Sequence, residues 1–302
     1  MQLSGSITAL ATPFDASGEL DIPAWHALVS AQLDAGTQGV VVAGSTGEAA
    51  MLDEAEFSRL IGTAADVVGG RIPVLAGAGL SGTDKTLAQC RLAREAGADA
   101  VLVVTPPYVR PTQQGLRRHY ETVADALDVP VVLYNVPSRT GSDLLPDTVA
   151  ALAAHPNVVG IKEAVADPAR MQALLALRRP DFAVLSGDDG SCCSAMLAGA
   201  DGVVSVASNV VPGAFRRLCD LARFGDEGAA RALDARLSPL FAAMGWEPNP
   251  IPVKALLSAQ GQCRNSLRLP LLPLSSRFRP ELEAMLGHIR AIEAQGGPGR
   301  AA

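Results

Sequence analysis

The chain has 302 residues, 48% of them hydrophobic, and a formal net charge of −6. A mild excess of acid without any dense Lys/Arg cluster argues against nucleic acid or an anionic membrane as partner, since both demand a basic footprint. No apolar run approaches the roughly 18 residues of a membrane span. Met1–Phe14 lacks the basic and apolar regions of a signal peptide, so the expected location is cytoplasmic. The cysteines (Cys90, Cys192, Cys193, Cys219 and Cys263) have no C-x-x-C spacing and read as small buried hydrophobes rather than metal ligands or a disulfide framework. Cations are overwhelmingly Arg; the lysines are Lys85, Lys162 and Lys254.

Short apolar runs alternate with stretches of helical period. In chain order the runs are Ile7–Phe14, Gly39–Ser45, Ile72–Gly77, Ala100–Pro106, Pro130–Val136, Val158–Lys162, Phe182–Gly187 and Gly202–Ser208. They are rich in Val, Ile and Leu and do not alternate with polar residues, as expected of parallel strands buried on both faces. Helical patterns cover Ile22–Ala35, Asp53–Val68, Thr83–Ala96, Gln113–Leu127 and Met171–Leu177. Ala-Gly-Ala-Asp at 96–99 and again at 198–201 closes two helices with a Gly stop and leads into a strand. Eight such units predict a closed (β/α)₈ TIM barrel. A doubly wound open sheet is the rival, but no G-x-G-x-x-G follows the first strand. Beyond residue 225 the patterns are helical: Asp226–Met244, Ile251–Gln260 and Pro280–Glu293, with Pro-rich joints at Glu247–Pro252 and Arg268–Pro273. The expected organisation is a catalytic barrel over 1–225 and a small C-terminal helical domain over 226–302, its Gly/Ala-rich end from Gln295 frayed.

Barrel enzymes build their sites at the C-terminal ends of the strands, so groups foreign to a packed core are sought there. The second strand ends in Gly44-Ser45-Thr46-Gly47-Glu48, which is either a plain capped turn or a cradle of N–H groups for a carboxylate or phosphate. The fourth brings Tyr108 to the rim, and the fifth ends Tyr134-Asn135-Val136-Pro137-Ser138-Arg139-Thr140-Gly141. A single rim Tyr is ordinarily packing; two on neighbouring strands point to a shared site. The sixth strand carries Lys162 at the end of an otherwise apolar run. Burial is costly for a charged amine and favours its neutral form, a nucleophile toward carbonyls. The competing reading, an ion pair with Glu163, is disfavoured because adjacent strand residues face opposite ways. Lys85 reads as solvated and Lys254 as structural. Asp188 and Asp189, after the seventh strand, suggest helix capping more than a metal site. His26, His119, His155 and His288 all lie away from strand ends, which disfavours a His base and a metal-dependent mechanism.

At these residues the chain resembles the dihydrodipicolinate synthase/N-acetylneuraminate lyase family of barrel aldolases. The likeness runs nearly end to end, through Gly44–Glu48, Tyr134–Pro137, Gly160-Ile161-Lys162-Glu163 and Glu247-Pro248-Asn249-Pro250-Ile251-Pro252-Val253-Lys254. Pro137–Gly141 is similar to the branch that condenses pyruvate with L-aspartate-4-semialdehyde on the route to diaminopimelate and lysine. The resemblance implies an imine between Lys162 and pyruvate, with Tyr134 as general acid/base. It also implies a proton relay through Ser45 and Tyr108, the latter reaching in from a neighbouring subunit of a homodimer or homotetramer. Thr46 would hold the pyruvate carboxylate, Arg139 the semialdehyde carboxylate, and Gly187 and Val204 would line the pyruvate pocket. No metal or organic cofactor is implied. Ser45 replaces the usual Thr and keeps its hydroxyl. Glu54, Phe57, Ser81, Lys85 and Pro107 occupy the neighbourhood of the family's lysine feedback site, and an ammonium on Lys85 predicts weak or absent inhibition by lysine. Rival readings are an aldolase or dehydratase acting on 2-keto-3-deoxy sugar acids, separated by Arg139, and a catalytically silent keto-acid-binding homologue.

Overall fold

A computed structural model describes residues 3–294; the expected fraying from Gln295 onward lies outside the described residues. Eight parallel strands close into a barrel in sequence order. They are β1 (Gly5–Ala9), β2 (Gly39–Val42), β3 (Val74–Ala78), β4 (Ala100–Val104), β5 (Val131–Asn135), β6 (Val158–Glu163), β7 (Ala183–Ser186) and β8 (Gly202–Ser205). The helices between them are α1 (Ile22–Asp34), α2 (Glu54–Val68), α3 (Thr83–Glu95), α4 (Gln113–Asp125), α5 (Pro137–Thr140), α6 (Pro146–Ala153), α7 (Pro168–Leu175) and α8 (Cys192–Leu197). Helix α9 (Pro212–Arg223) completes the ring, and α10 (Glu227–Ala243), α11 (Ile251–Ala259) and α12 (Arg279–Glu293) follow.

Strand alternation sorts the apolar residues into two cores. Ile7, Val41, Leu75, Leu102, Val132, Tyr134, Leu185 and Val204 fill the barrel interior. Val40, Val42, Val101, Val131, Leu133, Ile161 and Val184 face outward against the helices. The outer core also takes in Leu237 and Leu240 of α10, Leu256 of α11 and Ile289 of α12, so the C-terminal helices share one apolar cluster with the barrel.

The expected elements differ from the structure in a few places, each with a local cause. The first run, expected to continue to Phe14, leaves the ladder after Leu10: the Ala11 N–H is taken by Asn209 Oδ1 and Pro13 has no N–H to give. Helix α8 shows only its Gly stop at 198–201 in sequence and no period, because four of its six residues, Cys192, Cys193, Ala195 and Met196, are buried, which leaves no broad polar face. Helix α6 ends in the unbroken apolar run Val149–Ala153, which leaves no alternation of faces to mark a period. Asp188 accepts from the Ser191 N–H at 2.8 Å in the turn before α8; the N-cap is Ser191, and no side chain makes a capping bond to this helix, so the expected capping is not what Asp188 does. Asp189 does not cap that helix; it reaches past β8 to the N–H groups of Val206 and Ala207.

His119 of α4 is buried, with Nδ1 3.0 Å from Thr83 Oγ1 and its ring edge-on to Tyr120. Burial pushes its pKa down to about 4. The neutral ring is therefore the folded form: its contribution is complete above the unfolded value near 6.5 and is lost as pH falls toward 4. The span corresponds to about 3 kcal/mol. Thermal melts across that window should fall steeply for the native chain and less steeply for His119→Gln. Equal slopes would show that other groups carry the acid sensitivity.

Candidate active site

A cleft of about 290 Å³ opens at the C-terminal mouth of the barrel, with Ser45, Tyr134, Arg139 and Lys162 in its wall. Lys162 is 4% exposed, and its Nζ lies 4.1 Å from the centroid of the Tyr134 ring. The two residues are register partners across β5 and β6. Glu163 faces outward and pairs with Arg170 Nε at 2.7 Å, so it does not neutralise the Lys162 amine. Burial pushes the Glu163 carboxyl up, against the pull of the Val165 N–H, Arg170 and Asn135.

Gly187, just past β7, lets the Lys162 stem pass. A Cβ there would sit 2.9 Å from Lys162 Cε and 3.0 Å from Cγ, closer than packed carbons tolerate. Val204 belongs to the interior core together with Tyr134 and Leu185. Thr46 is buried behind the cleft wall, its hydroxyl accepting from Asn249 Nδ2 at 3.0 Å. Arg139 projects from α5 and donates from Nη2 to the Asn249 carbonyl at 3.0 Å. Tyr108 is the exception: it is 90% exposed and turned to solvent, and within one chain it takes no part in the cleft.

Backbone strain gathers around this mouth. Ala43 and Glu48 flank the loop after β2, and Tyr108 and Arg110 lie in the loop after β4; these are the non-glycine residues with positive φ among the described residues, at 52°, 56°, 75° and 49°. Such conformations cost of order 1–3 kcal/mol each and persist only where surroundings enforce them. At Glu48 the enforcement is visible. Its carboxylate accepts from Lys254 Nζ at 2.6 Å and from the Arg268 N–H at 3.0 Å, both sides of the ion pair being fully buried. Arg268 in turn holds the Gly18 and Met51 carbonyls and the Glu56 carboxylate. Lys254 is structural, as its sequence context suggested.

Sequence reasoning missed Asn249, which touches both Thr46 and Arg139. The Glu247–Lys254 motif carried the signal, but its partners are 203 and 110 residues away.

A model of the dihydrodipicolinate synthetase family matches residues 2–289. The chain belongs to that family. It is 60% identical over 294 residues to the 4-hydroxy-tetrahydrodipicolinate synthase of Stenotrophomonas maltophilia, covering 97% of this chain and 99% of the relative. Among solved structures, the chloride-inhibited dihydrodipicolinate synthase of Acinetobacter baumannii in complex with pyruvate superposes with a TM-score of 0.94 at 40% identity, covering 96% of this chain and 99% of that one. The Cyanidioschyzon merolae enzyme with lysine bound gives 0.90 at 33% identity, covering 96% and 98%.

Breaking the Glu48–Lys254 pair from one side leaves a buried charge, which costs about 3–5 kcal/mol. Lys254→Met should lose that much in urea unfolding, while Glu48→Gln/Lys254→Met, neutral on both sides and still able to accept from Arg268, should lose clearly less. An equal loss in both variants would mean that packing, not charge, holds this loop.

Proposed function

We propose that the chain condenses pyruvate with L-aspartate-4-semialdehyde as a 4-hydroxy-tetrahydrodipicolinate synthase, working through an imine on Lys162. The observation that carries the reading is the Lys162 amine, buried, set over the Tyr134 ring and opening on a cleft that also contains Arg139. The neutral amine adds to the pyruvate ketone carbon and loses water to give the imine. Loss of a methyl proton then yields an enamine, whose carbon attacks the aldehyde carbon; the aldehyde oxygen takes up a proton. The semialdehyde's own amine is placed on the same molecule to attack the imine carbon, close the ring and release Lys162.

Tyr134 moves the protons, with Ser45 and Tyr108 as its relay to solvent. The exposed Tyr108 ring suits a residue that completes the site of a neighbouring copy, in a homodimer or homotetramer. Thr46 and the N–H groups around it receive the pyruvate carboxylate, and Gly187 and Val204 shape that pocket. Arg139 receives the second carboxylate, for which a forked guanidinium is well matched. The barrel over 1–225 does the chemistry and the segment 226–302 braces it. The reaction needs no metal or organic cofactor and takes place in the cytoplasm; among the described residues no helix is long and apolar enough to cross a membrane.

Borohydride reduction in the presence of pyruvate should leave one pyruvyl adduct, mapped by peptide mass to Lys162. An adduct on Lys85 or Lys254, or none, sinks the mechanism. Lysine should inhibit weakly or not at all. The support is local: Lys85 is exposed at the start of α3 beside Ser81, whose hydroxyl is occupied by the Pro107 carbonyl at 2.9 Å. A steady-state assay showing inhibition at micromolar lysine would refute this part alone.

A further inference from the structure

Behind the reactive pair, on the opposite face of the same two strands, lies a second pair that the mechanism does not use. Register partners across β5 and β6 run Tyr134 to Lys162 and then Asn135 to Glu163. The first pair faces the interior; the second faces outward and is almost fully buried, Asn135 at 0% and Glu163 at 1% exposure. Asn135 Nδ2 donates to both Glu163 carboxylate oxygens at 3.1 Å and to Asp143 Oδ1 at 2.9 Å. Its Oδ1 accepts from the Leu144 N–H at 2.9 Å. Glu163 accepts from the Val165 N–H at 2.9 Å and from Arg170 Nε at 2.7 Å. Arg170 then grips Asp143 with two nitrogens, at 2.7 and 3.1 Å, and the Leu144 carbonyl at 2.6 Å.

Two consequences follow from this wiring. A strand that slips by one residue exchanges its two faces, and β5 against β6 already contains one register irregularity, between Val131 and Val132. The Asn135–Glu163 contact pins the register at the reactive end, past that irregularity. Asp143 and Leu144 lie just beyond α5, so the same cluster also anchors the segment that carries Arg139.

We propose that Asn135 and Glu163, clamped by Arg170, are positioning residues for imine formation: they hold Lys162 against Tyr134 from outside the barrel without touching substrate. The inference rests on the imine reading given above. Asn135 supplies the donor and Glu163 the charged acceptor, so exchanging their roles should restore the contact between β5 and β6, though not the donation to Asp143.

The test is single-turnover trapping of the pyruvyl adduct with borohydride, beside kcat, KM for pyruvate and Tm. Asn135→Asp sets two carboxylates face to face and should slow trapping and kcat at least tenfold while KM for pyruvate moves little. Glu163→Gln should slow them less. Asn135→Asp/Glu163→Gln, with an amide again facing a carboxylate across β5 and β6, should recover part of the rate, the lost donation to Asp143 limiting the rest. If Asn135→Asp does not fold, Arg170→Lys, which loses the fork on Asp143, takes its place, and the same slowing of trapping is expected. The proposal is overturned if folded variants trap pyruvate at the native rate, or if the exchange recovers Tm but no rate. Failure of the native chain to form any adduct on Lys162 would instead overturn the imine reading itself.

Discussion

The two-residue period of a β-strand governs this site. In a barrel whose strands are buried on both faces, consecutive residues enter different environments. At the end of β6 that rule separates an amine from the carboxylate next to it: Lys162 enters the interior, while Glu163 goes out to Arg170 and Asn135. Were the two on one face, they would form an ion pair, and the amine would be occupied. The alternation that fills both cores with Val, Ile and Leu also keeps the Lys162 amine apart from the carboxylate next to it in sequence.

The C-terminal segment extends this arrangement across the mouth of the barrel. Asn249 meets Thr46 with its side chain and Arg139 with its carbonyl, so one residue ties the loop after β2 to α5. Lys254, one turn into α11, fixes the same segment to Glu48, and Arg268 closes the network onto α2 through Glu56. The strained backbone at Glu48 is thereby over-determined, which is the condition under which such strain survives. Pre-organised donors around the mouth of the cleft are what a reaction between two anionic substrates requires.

Much of this was legible in the sequence, and the part that was not has a common cause. Strands buried on both faces advertise themselves as unbroken apolar runs, so the barrel could be counted out in units. Lys162 stood out because a lysine contradicts the run that contains it. Tyr134 and Arg139 followed from their place at the next strand end and from the family likeness. Asn135 and Asn249 did not stand out, since an Asn near a turn is ordinary and its meaning lies in partners that only the closed barrel brings together. Of helix α8 only the closing Gly showed, and its period was hidden for the opposite reason: Cys192, Cys193, Ala195 and Met196 are all buried, and a helix without a polar face shows no period.

The lysines make the physical point most sharply. Lys85 is exposed on α3. Lys162 and Lys254 are both buried, and each sits over an aromatic ring, at 4.1 Å from Tyr134 and 4.4 Å from Phe14. Burial and an aromatic neighbour therefore do not distinguish them. What does is the counterion: Glu48 lies 2.6 Å from Lys254, and burial pulls that amine's pKa down against the opposing hold of the carboxylate. Among the described residues no carboxylate forms an ion pair with Lys162. A buried amine without a counterion costs stability. The fold accepts that cost at one position, and that position opens on the cleft.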